Sequence, residues 1–171
     1  MMLDNFERCL DLLLKDEGGF VNNPSDPGGM TNLGVTAKTW AAFKGRNTSE
    51  KEMKALTHND VAALYEHKYW DACSCDEMPS GIDYLVFDFA VNAGVGRSTK
   101  LLQRILGVPE DGSIGPVTLQ NIDIADKLDL ISRFSQAKVH YYEELPTFHE
   151  FGKGWLSRVE TVKSRACAML G

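Results

Sequence analysis

The stretch DEGGFVNNPSDPGGMTNLGVT, residues 16–36, constrains the fold of this chain more than any other segment. It is rich in glycine, proline, asparagine and aspartate, which form turns of defined geometry, unlike the residues of a flexible glycine–serine linker. The preceding residues show a helical periodicity that places four positions on one face: Phe6, Leu10, Leu13 and Glu17. The pattern predicts an amphipathic helix that a glycine pair ends, followed by a tightly turned loop.

Glu17 is the first candidate catalytic residue. Its position on the apolar face, at the end of the expected helix, predicts a carboxyl group directed toward the interior. Apolar surroundings and the negative end of the helix dipole both disfavour the charged form, so we expect a raised pKa for Glu17. A carboxylic acid that stays protonated near neutral pH can act as a general acid. Asp16, about 100° around the helix, is expected to face solvent.

Two further side chains join Glu17 in this hypothesis. The loop can present Asp26 opposite Glu17, and Thr31 begins a short strand beside it. An acid, a second carboxylate and a hydroxyl suit cleavage of a glycosidic bond, because the acid protonates the leaving oxygen while the others hold and activate water. The alternative makes Asp26 an Asx-turn residue and Thr31 an ordinary strand residue. From the residues alone, that alternative is favoured for each of these two, and a functional role is favoured for Glu17.

Helical patterns dominate the rest of the chain. A capping box with Ser49 as N-cap and Glu52 three residues later predicts one short helix. Pro116 at a first helical position and Gly107 as a left-handed cap mark two further helix ends. The remaining expected helices lie near residues 60–70, 79–94, 98–107, 116–122, 125–144 and 155–169.

The strand signal is weak. The one good candidate, residues 31–36, is expected to form at best half of a small hairpin. The expected fold class is therefore mainly α, with a small β-hairpin. We expect a single domain, 1–171, with a catalytic lobe at 1–78 and a helical lobe at 79–171; the turn cluster 107–116 is the best candidate for an internal boundary.

Composition excludes several classes of protein. A chain of 171 residues with 43% hydrophobic and 25% charged residues is typical of a soluble globular domain. Its net charge of −6 argues against non-specific nucleic-acid binding, which needs a basic surface. No apolar run predicts stable membrane insertion. Acidic residues interrupt the N-terminal segment, so we expect no signal peptide, synthesis in a cytoplasm, and export by another route.

The cysteines and histidines indicate neither a metal site nor a cofactor. Cys73 and Cys75 have one residue between them, not the two of a zinc knuckle or redox motif. The four histidines show no metal-ligand spacing. Reduced thiols are expected in a cytoplasm, and pairing after export stays open. The cysteines are Cys9, Cys73, Cys75 and Cys167.

Four residues beyond the loop are candidates for contact with a sugar polymer. Tyr69 and Trp70 end a helix and could stack on flat sugar faces, although aromatic residues at helical spacing are more often core. Asp88 and Asn92, four residues apart, could bond hydroxyls and N-acetyl amides. The alternative is that this second pair satisfies backbone groups at the next turn, and both interpretations stay open.

The segment EGGFVNNPSDPGGMTNLGVT resembles the signature of glycoside hydrolase family 108, the N-acetylmuramidases often found as phage endolysins. This resemblance implies a lysozyme-like fold with Glu17 as the catalytic acid. The order Glu17, Asp26, Thr31 is also similar to the catalytic triad of phage-type lysozymes. The implied reaction is hydrolysis of the β-1,4 bond between N-acetylmuramic acid and N-acetylglucosamine.

The second half resembles the peptidoglycan-binding region of the same family. The matching segments are DFAVNAGVGRSTKLLQRILGVPEDGSIGPVTLQ at 88–120 and FGKGWLSRV at 151–159. The resemblance implies a protein that acts on peptidoglycan glycan strands without a cofactor, and we expect it to be a monomer. It would be made in the host cytoplasm and reach the periplasm through a holin-type pore to lyse a Gram-negative host, or by a secretion path if the gene is chromosomal. A lytic transglycosylase and a non-catalytic wall-binding or secretion-assisting protein are the alternatives.

Overall fold

A computed structural model describes the backbone of residues 2–22 and 29–171, and the side chains of residues 5–22 and 29–171. The chain divides into two compact units, Met1–Lys68 and Tyr69–Gly171. Helices dominate both units, and the described strands all belong to the first. The expected mainly α fold is thus confirmed, and the small β-hairpin expected with it is part of a three-stranded antiparallel sheet.

The first unit begins with a helix whose apolar stripe is buried. Phe6, Cys9, Leu10 and Leu13 of this helix are at most 4% exposed, which confirms the face expected from the periodicity. The elements of the unit are α1 (Met2–Lys15), β1 (Val21–Asn22), β2 (Met30–Asn32), β3 (Val35–Thr36), α2 (Ala37–Lys44), α3 (Glu50–Lys54) and α4 (His58–Tyr65). A π-helical turn, Glu66–Trp70, continues the chain from α4.

The three short strands form an antiparallel sheet in the order β1-β2-β3. Thr31 pairs with Val21 on one side and with Thr36 on the other. The backbone φ angles of Leu33 and Gly34 are 52° and 77°, which gives β2 and β3 a two-residue connection of type I′. The expectation that residues 31–36 form half of a hairpin was therefore wrong, because this segment turns back and forms both strands of one.

The start of α3 confirms half of the expected capping box. The Ser49 hydroxyl accepts a hydrogen bond from the Glu52 backbone N–H at 3.1 Å. The Glu52 carboxylate, however, accepts hydrogen bonds from Arg46 at 2.7 and 2.8 Å, from Trp40 at 3.2 Å and from Thr48 at 2.9 Å. The Arg46 guanidinium and the Trp40 indole N–H thus bind the Glu52 carboxylate, which in a complete capping box would accept from the Ser49 backbone N–H.

The second unit is built around a buried helix. Every residue of this helix from Ile82 to Ala90 is buried, including two aspartates. Pro116 lies at the start of its helix, and Gly107 closes the preceding one with a φ of 73°, both as expected. The helices of the unit are α5 (Ile82–Ala93), α6 (Val95–Leu106), α7 (Pro116–Ile124), α8 (Lys127–Glu143) and α9 (Phe148–Met169), preceded by a 3₁₀ turn, Cys75–Glu77.

The last helix begins seven residues before the expected start at 155. Gly152 and Gly154 lower the helix propensity of this segment, so the sequence pattern favours a later start. In the structure Gly152 is buried, and a Cβ at its position would lie 2.5 Å from the ring of Phe148. Packing of that ring therefore outweighs the poor propensity of glycine.

None of the helices in the described part of the chain combines the length and the apolar character needed to cross a membrane.

Candidate active site

Glu17 lies two residues beyond the end of α1. The helix ends at Lys15, so the expectation that Glu17 belongs to it is corrected. The backbone N–H groups of Asp16 and Glu17 donate to the carbonyls of Leu13 and Leu14 at 3.1 and 3.2 Å. These bonds span three residues and tighten the chain into a 3₁₀-type turn, which rotates Glu17 off the helical register. Glu17 is half-buried and Asp16 is exposed.

The side chain of Glu17 packs against the turn between β2 and β3. A Cβ built on Gly34 would lie 3.0 Å from Cδ of Glu17, 3.1 Å from its Cγ, and 2.6 Å from the hydroxyl of Tyr65. Any side chain at this position would therefore displace the carboxyl group or the phenol. Glycine meets both requirements of the site, since its φ of 77° is also one that L-residues with side chains rarely adopt.

Two hydrogen bonds hold this turn in place. The Leu33 backbone N–H donates to the Gly18 carbonyl at 3.1 Å, and the buried Tyr65 hydroxyl donates to the Leu33 carbonyl at 2.8 Å. One residue of the turn is thus tied both to the segment that follows Glu17 and to α4. In addition, the buried Asn32 amide donates to the Met53 carbonyl at 2.8 Å and links β2 to α3. The surroundings of the Glu17 carboxyl are therefore fixed by backbone and core contacts.

Thr31 lies in the central strand of the same sheet and is half-buried. Successive residues of a strand face opposite sides, so Thr31 lies on the face opposite to the buried Asn32. The structure joins Glu17 to the turn of the hairpin that carries Thr31. Asp26 lies outside the described residues. The catalytic roles of Glu17, Asp26 and Thr31 stay predictions.

Trp70 is a core side chain of the second unit. It is 1% exposed, its indole N–H donates to the Asp76 carboxylate at 2.8 Å, and its ring meets Phe87 edge-on at 5.3 Å. An indole enclosed in this way presents no free face for a sugar, so the structure supports the alternative in which Trp70 is core. Tyr69 is half-buried, and its role in binding stays a prediction.

Asp88 is completely buried at the centre of a cluster of polar side chains. Its carboxylate accepts from Arg158 at 3.1 Å, from Lys138 at 3.4 Å and from Asn92 at 3.4 Å. Lys138 is itself 1% exposed, and burial lowers its pKa, against which the charge of Asp88 acts. The two interpretations of Asp88 drawn from the sequence, a sugar ligand and a backbone acceptor, are therefore replaced by a third. Asp88 is the anion of a buried charge cluster.

Asn92, by contrast, lies at a pocket of about 210 Å³. Asp88 accepts from both Asn92 and Arg158, two residues of the pocket wall, and thereby orients them. Burial, followed by the charge of Asp88, raises the pKa of Tyr142 to about 12, so this hydroxyl is a weaker acid than an exposed tyrosine hydroxyl. The pocket is lined by Asn92, Tyr141, Tyr142, Leu145, Trp155 and Arg158. Such a mixture of aromatic rings and hydrogen-bonding groups suits a saccharide, so Asn92 stays a candidate ligand.

Sequence reasoning missed Lys138. This lysine follows Phe134 by four residues and precedes Tyr142 by four, and both aromatic residues are buried on α8. A lysine in the middle of an apolar helical stripe is a signal for a buried ammonium group, which needs a carboxylate partner. The spacing predicts the burial of Lys138, but the sequence contains no comparable signal that the partner is Asp88.

Within the residues that the structure describes, no three histidine, cysteine, aspartate or glutamate side chains cluster as they would around a metal ion. Cys9, Cys73 and Cys75 are buried, and Cys167 is half-buried. The Cys75 thiol donates to the Asp83 carbonyl at 3.7 Å. This contact is one of core packing at the start of α5.

Comparison with known proteins identifies the class. Residues 10–94, which include Glu17 and the whole sheet, match the family described as glycosyl hydrolase 108. Residues 97–160 match a family described as a predicted peptidoglycan domain. The chain belongs to the glycosyl hydrolase 108 family and is a glycoside hydrolase directed at peptidoglycan.

The chain is also similar to a solved structure, that of SagA from Brucella abortus. The two sequences are 40% identical, and the match covers 98% of this chain and 96% of that chain with a TM-score of 0.88. This likeness confirms the lysozyme-like, mainly α fold expected from the sequence. No curated protein sequence matches this chain.

Proposed function

We propose that this protein is an N-acetylmuramidase that hydrolyses the β-1,4 bond between N-acetylmuramic acid and N-acetylglucosamine, with Glu17 as the general acid. The observation that carries the proposal is the contact of the Glu17 side chain with the Gly34 turn. General acid catalysis requires a carboxyl group held at a fixed position. The hydrogen bonds from Leu33 to Gly18 and from Tyr65 to Leu33 give this carboxyl group such a setting.

The proposed reaction assigns one role to each residue. Glu17 transfers its proton to the glycosidic oxygen while the bond from that oxygen to the anomeric carbon breaks, so the leaving sugar departs as a neutral alcohol. Asp26 and Thr31 hold a water molecule beside the anomeric carbon. Asp26 accepts a proton from this water as its oxygen bonds to the oxocarbenium-like carbon. The net change is addition of one water across the bond.

The test of Glu17 is the substitution Glu17→Gln. The amide keeps the shape of the side chain but has no acidic proton, so we expect turnover of purified peptidoglycan to fall by about 10²–10⁴-fold or more. The matched control is Glu7→Gln, the same change at an exposed position of α1, which should leave turnover unchanged. Thermal melts of both variants separate loss of chemistry from loss of fold. Turnover by folded Glu17→Gln within about tenfold of wild type, or ~1.4 kcal/mol of barrier, would refute the assignment.

Mass spectrometry of the released fragments tests the reaction type. Hydrolysis leaves reducing muramic acid ends, whereas a lytic transglycosylase uses the same acid and leaves 1,6-anhydromuramic ends. A non-catalytic wall-binding or secretion-assisting protein releases no fragments. Anhydro ends would reject the role proposed for water, and N-acetylglucosamine at the new reducing ends would reject the proposed bond.

We place this activity, also as a proposal, at the wall of a Gram-negative cell, where the protein acts as a monomer. The phage setting calls for synthesis in the host cytoplasm and passage to the periplasm through a holin-type pore. The similarity to a protein of Brucella abortus favours the second setting, in which the gene is chromosomal and a secretion path exports the protein. Expression in a Gram-negative host with and without a holin separates them, because lysis that requires the holin supports the phage setting.

A further inference from the structure

A groove of about 650 Å³ lies between α6 and α8 of the second unit. Its walls contain both apolar and charged side chains. The apolar side chains are Phe89, Leu101, Ile105 and Ala137. The cations are Arg97, Lys100 and Arg104, all on α6. No function has been assigned to the groove so far, and it shares one wall residue, Tyr141, with the smaller pocket at Asn92.

The three cations form one row. Positions 97, 100 and 104 are three and four residues apart, so their side chains project from the same face of α6. Arg97 is held in position, since it donates to the Tyr141 hydroxyl at 3.0 Å and lies 4.9 Å from the centre of that ring. Arg104 pairs with Glu110 at 3.0 Å, and Lys100 is exposed.

The opposite wall carries little compensating charge. Among the described lining residues, this wall contributes one carboxylate, that of Glu144 directly after α8, together with His140 of α8. The chain as a whole has 24 acidic and 18 basic residues, so a row of three cations that meets two carboxylates, Glu144 and the Arg104 partner Glu110, is a local reversal of charge. Such a groove attracts an anionic ligand to one place on an otherwise acidic protein.

We infer that this groove binds the stem peptide of peptidoglycan through its carboxylates; the inference rests on the proposed function for its choice of polymer. A stem peptide combines several carboxylates with the methyl and methylene groups of its alanine and diamino-acid residues. The carboxylates of the peptide would pair with the row of Arg97, Lys100 and Arg104. Its apolar groups would pack on the apolar floor of the groove, formed by Leu101, Ile105 and Ala137. All three cations also fall within residues 97–160, the region that matches the predicted peptidoglycan domain.

An anionic phospholipid surface is the competing ligand. Its headgroups would meet the cations on α6, but they would leave the apolar floor formed by Leu101, Ile105 and Ala137 unfilled. The apolar floor therefore favours the stem peptide, which can enter the groove, over a phospholipid surface, which would lie across its rim.

The test measures binding of the free tetrapeptide stem, which contains no sugar. Lys100→Glu places a negative charge in the middle of the row, and we expect affinity to fall about five- to tenfold. Lys100→Arg keeps the charge and should retain affinity. The matched control is Lys153→Glu, which makes the same charge change at an exposed position of α9 outside the groove and should also bind normally. Binding by wild type should weaken as salt is added, because salt screens exposed charges.

Activity on two substrates separates this inference from the proposed function. We expect Lys100→Glu to act more slowly than wild type on intact peptidoglycan, and equally fast on peptidoglycan whose stems an amidase has removed. A tetrapeptide affinity that Lys100→Glu leaves unchanged, or a loss of binding to phosphatidylglycerol vesicles with normal tetrapeptide binding, would overturn the inference. Wild type that binds the tetrapeptide and cleaves neither substrate would overturn the muramidase proposal and leave the groove assignment standing.

Discussion

At the scale of the residue, Gly34 is the position on which the geometry around Glu17 depends. Its φ of 77° favours glycine, and the neighbouring carboxyl group and phenol leave no room for a Cβ. Gly45 has a nearly identical φ of 72°, but nothing lies within 4 Å of a Cβ built there. Both glycines thus have a left-handed backbone conformation, but only at Gly34 would an added Cβ meet neighbouring side chains.

We therefore predict that Gly34→Ala and Gly45→Ala have different effects. Each should lose about 1 kcal/mol of unfolding free energy, since the left-handed conformation disfavours a side chain. Gly34→Ala should lose a further ~1–3 kcal/mol from overpacking and, because Glu17 must shift, should turn over peptidoglycan on the order of 100-fold more slowly.

Denaturant unfolding and turnover, measured on the same samples, check this prediction. Gly45→Ala is the control for backbone strain and should retain wild-type turnover. If both variants lose activity equally, the contact between Gly34 and Glu17 has no part in catalysis.

The proposed water site makes a prediction for Asp26 and Thr31. Asp26→Asn should reduce hydrolysis nearly as much as Glu17→Gln, because the amide cannot accept the proton of the attacking water. Thr31→Ala should lose less, since a second water can partly replace a hydroxyl. The double variant of Glu17→Gln and Asp26→Asn should be little slower than the slower single variant, as is typical of residues that act together.

Turnover and thermal melts of the three single variants and the double variant measure these effects. The competing structural interpretation makes Asp26 an Asx-turn residue, for which asparagine is an equal substitute. Normal turnover of Asp26→Asn would thus favour the structural interpretation and leave Glu17 as the one proposed catalytic residue.

At the scale of the element, the link between α2 and α3 depends on Glu52. The Arg46 guanidinium, followed by the Trp40 indole, lowers the pKa of this carboxyl from 4.5 to about 2. A carboxylate with a depressed pKa in the folded protein stabilises it fully above the pKa of the unfolded chain. This contribution is lost as the pH falls from about 4.5 toward 2.

We predict that Glu52→Gln lowers the melting temperature at neutral pH, and that the difference from wild type shrinks as the pH falls through this range. The matched control is Glu50→Gln on the same helix, where the carboxylate meets Lys54 at 3.2 Å in an exposed pair. Melting curves at several pH values from 2 to 7 measure both variants. A deficit for Glu52→Gln that stays constant over the whole range would contradict the assignment.

At the scale of the whole molecule, the Asp88 cluster joins helices that are distant in the sequence. Asp88 on α5 contacts Lys138 on α8 and Arg158 on α9, which are 50 and 70 residues away along the chain. Ion pairs of this kind add little net stability when compared with an apolar replacement. Removal of one partner is costly, because it leaves a buried charge without compensation.

We predict that Asp88→Asn lowers the free energy of unfolding by about 3–5 kcal/mol. The double variant Asp88→Asn with Lys138→Met should recover much of this loss, since it removes the buried ammonium group as well. Denaturant unfolding measures both. If Asp88 contacted the sugar directly, Asp88→Asn would instead keep its stability and lose affinity for glycan.

The sequence alone determined the features that depend on near neighbours in the chain. The buried stripe of α1, the Pro116 start and the Gly107 cap all follow from periodicity and backbone preference over a few residues. A compact motif within residues 16–36 indicated the family, the lysozyme-like fold and the candidate catalytic role of Glu17. Such a signal depends only on neighbouring residues, so it can be read from the sequence without knowing how the helix or loop packs against the rest of the protein.

Tertiary structure alone decided the features that depend on distant partners. Leu33 adopts a φ of 52°, which its own residue type disfavours, because Gly18 and Tyr65 hold its backbone from either side. That constraint turns residues 31–36 into a complete hairpin and forms the contact between Gly34 and Glu17. Asp88 likewise became part of a buried charge cluster because two cations from other helices meet it in the core. Local preferences are small compared with the free energy of burying a side chain, so contacts between distant residues decide where the two conflict.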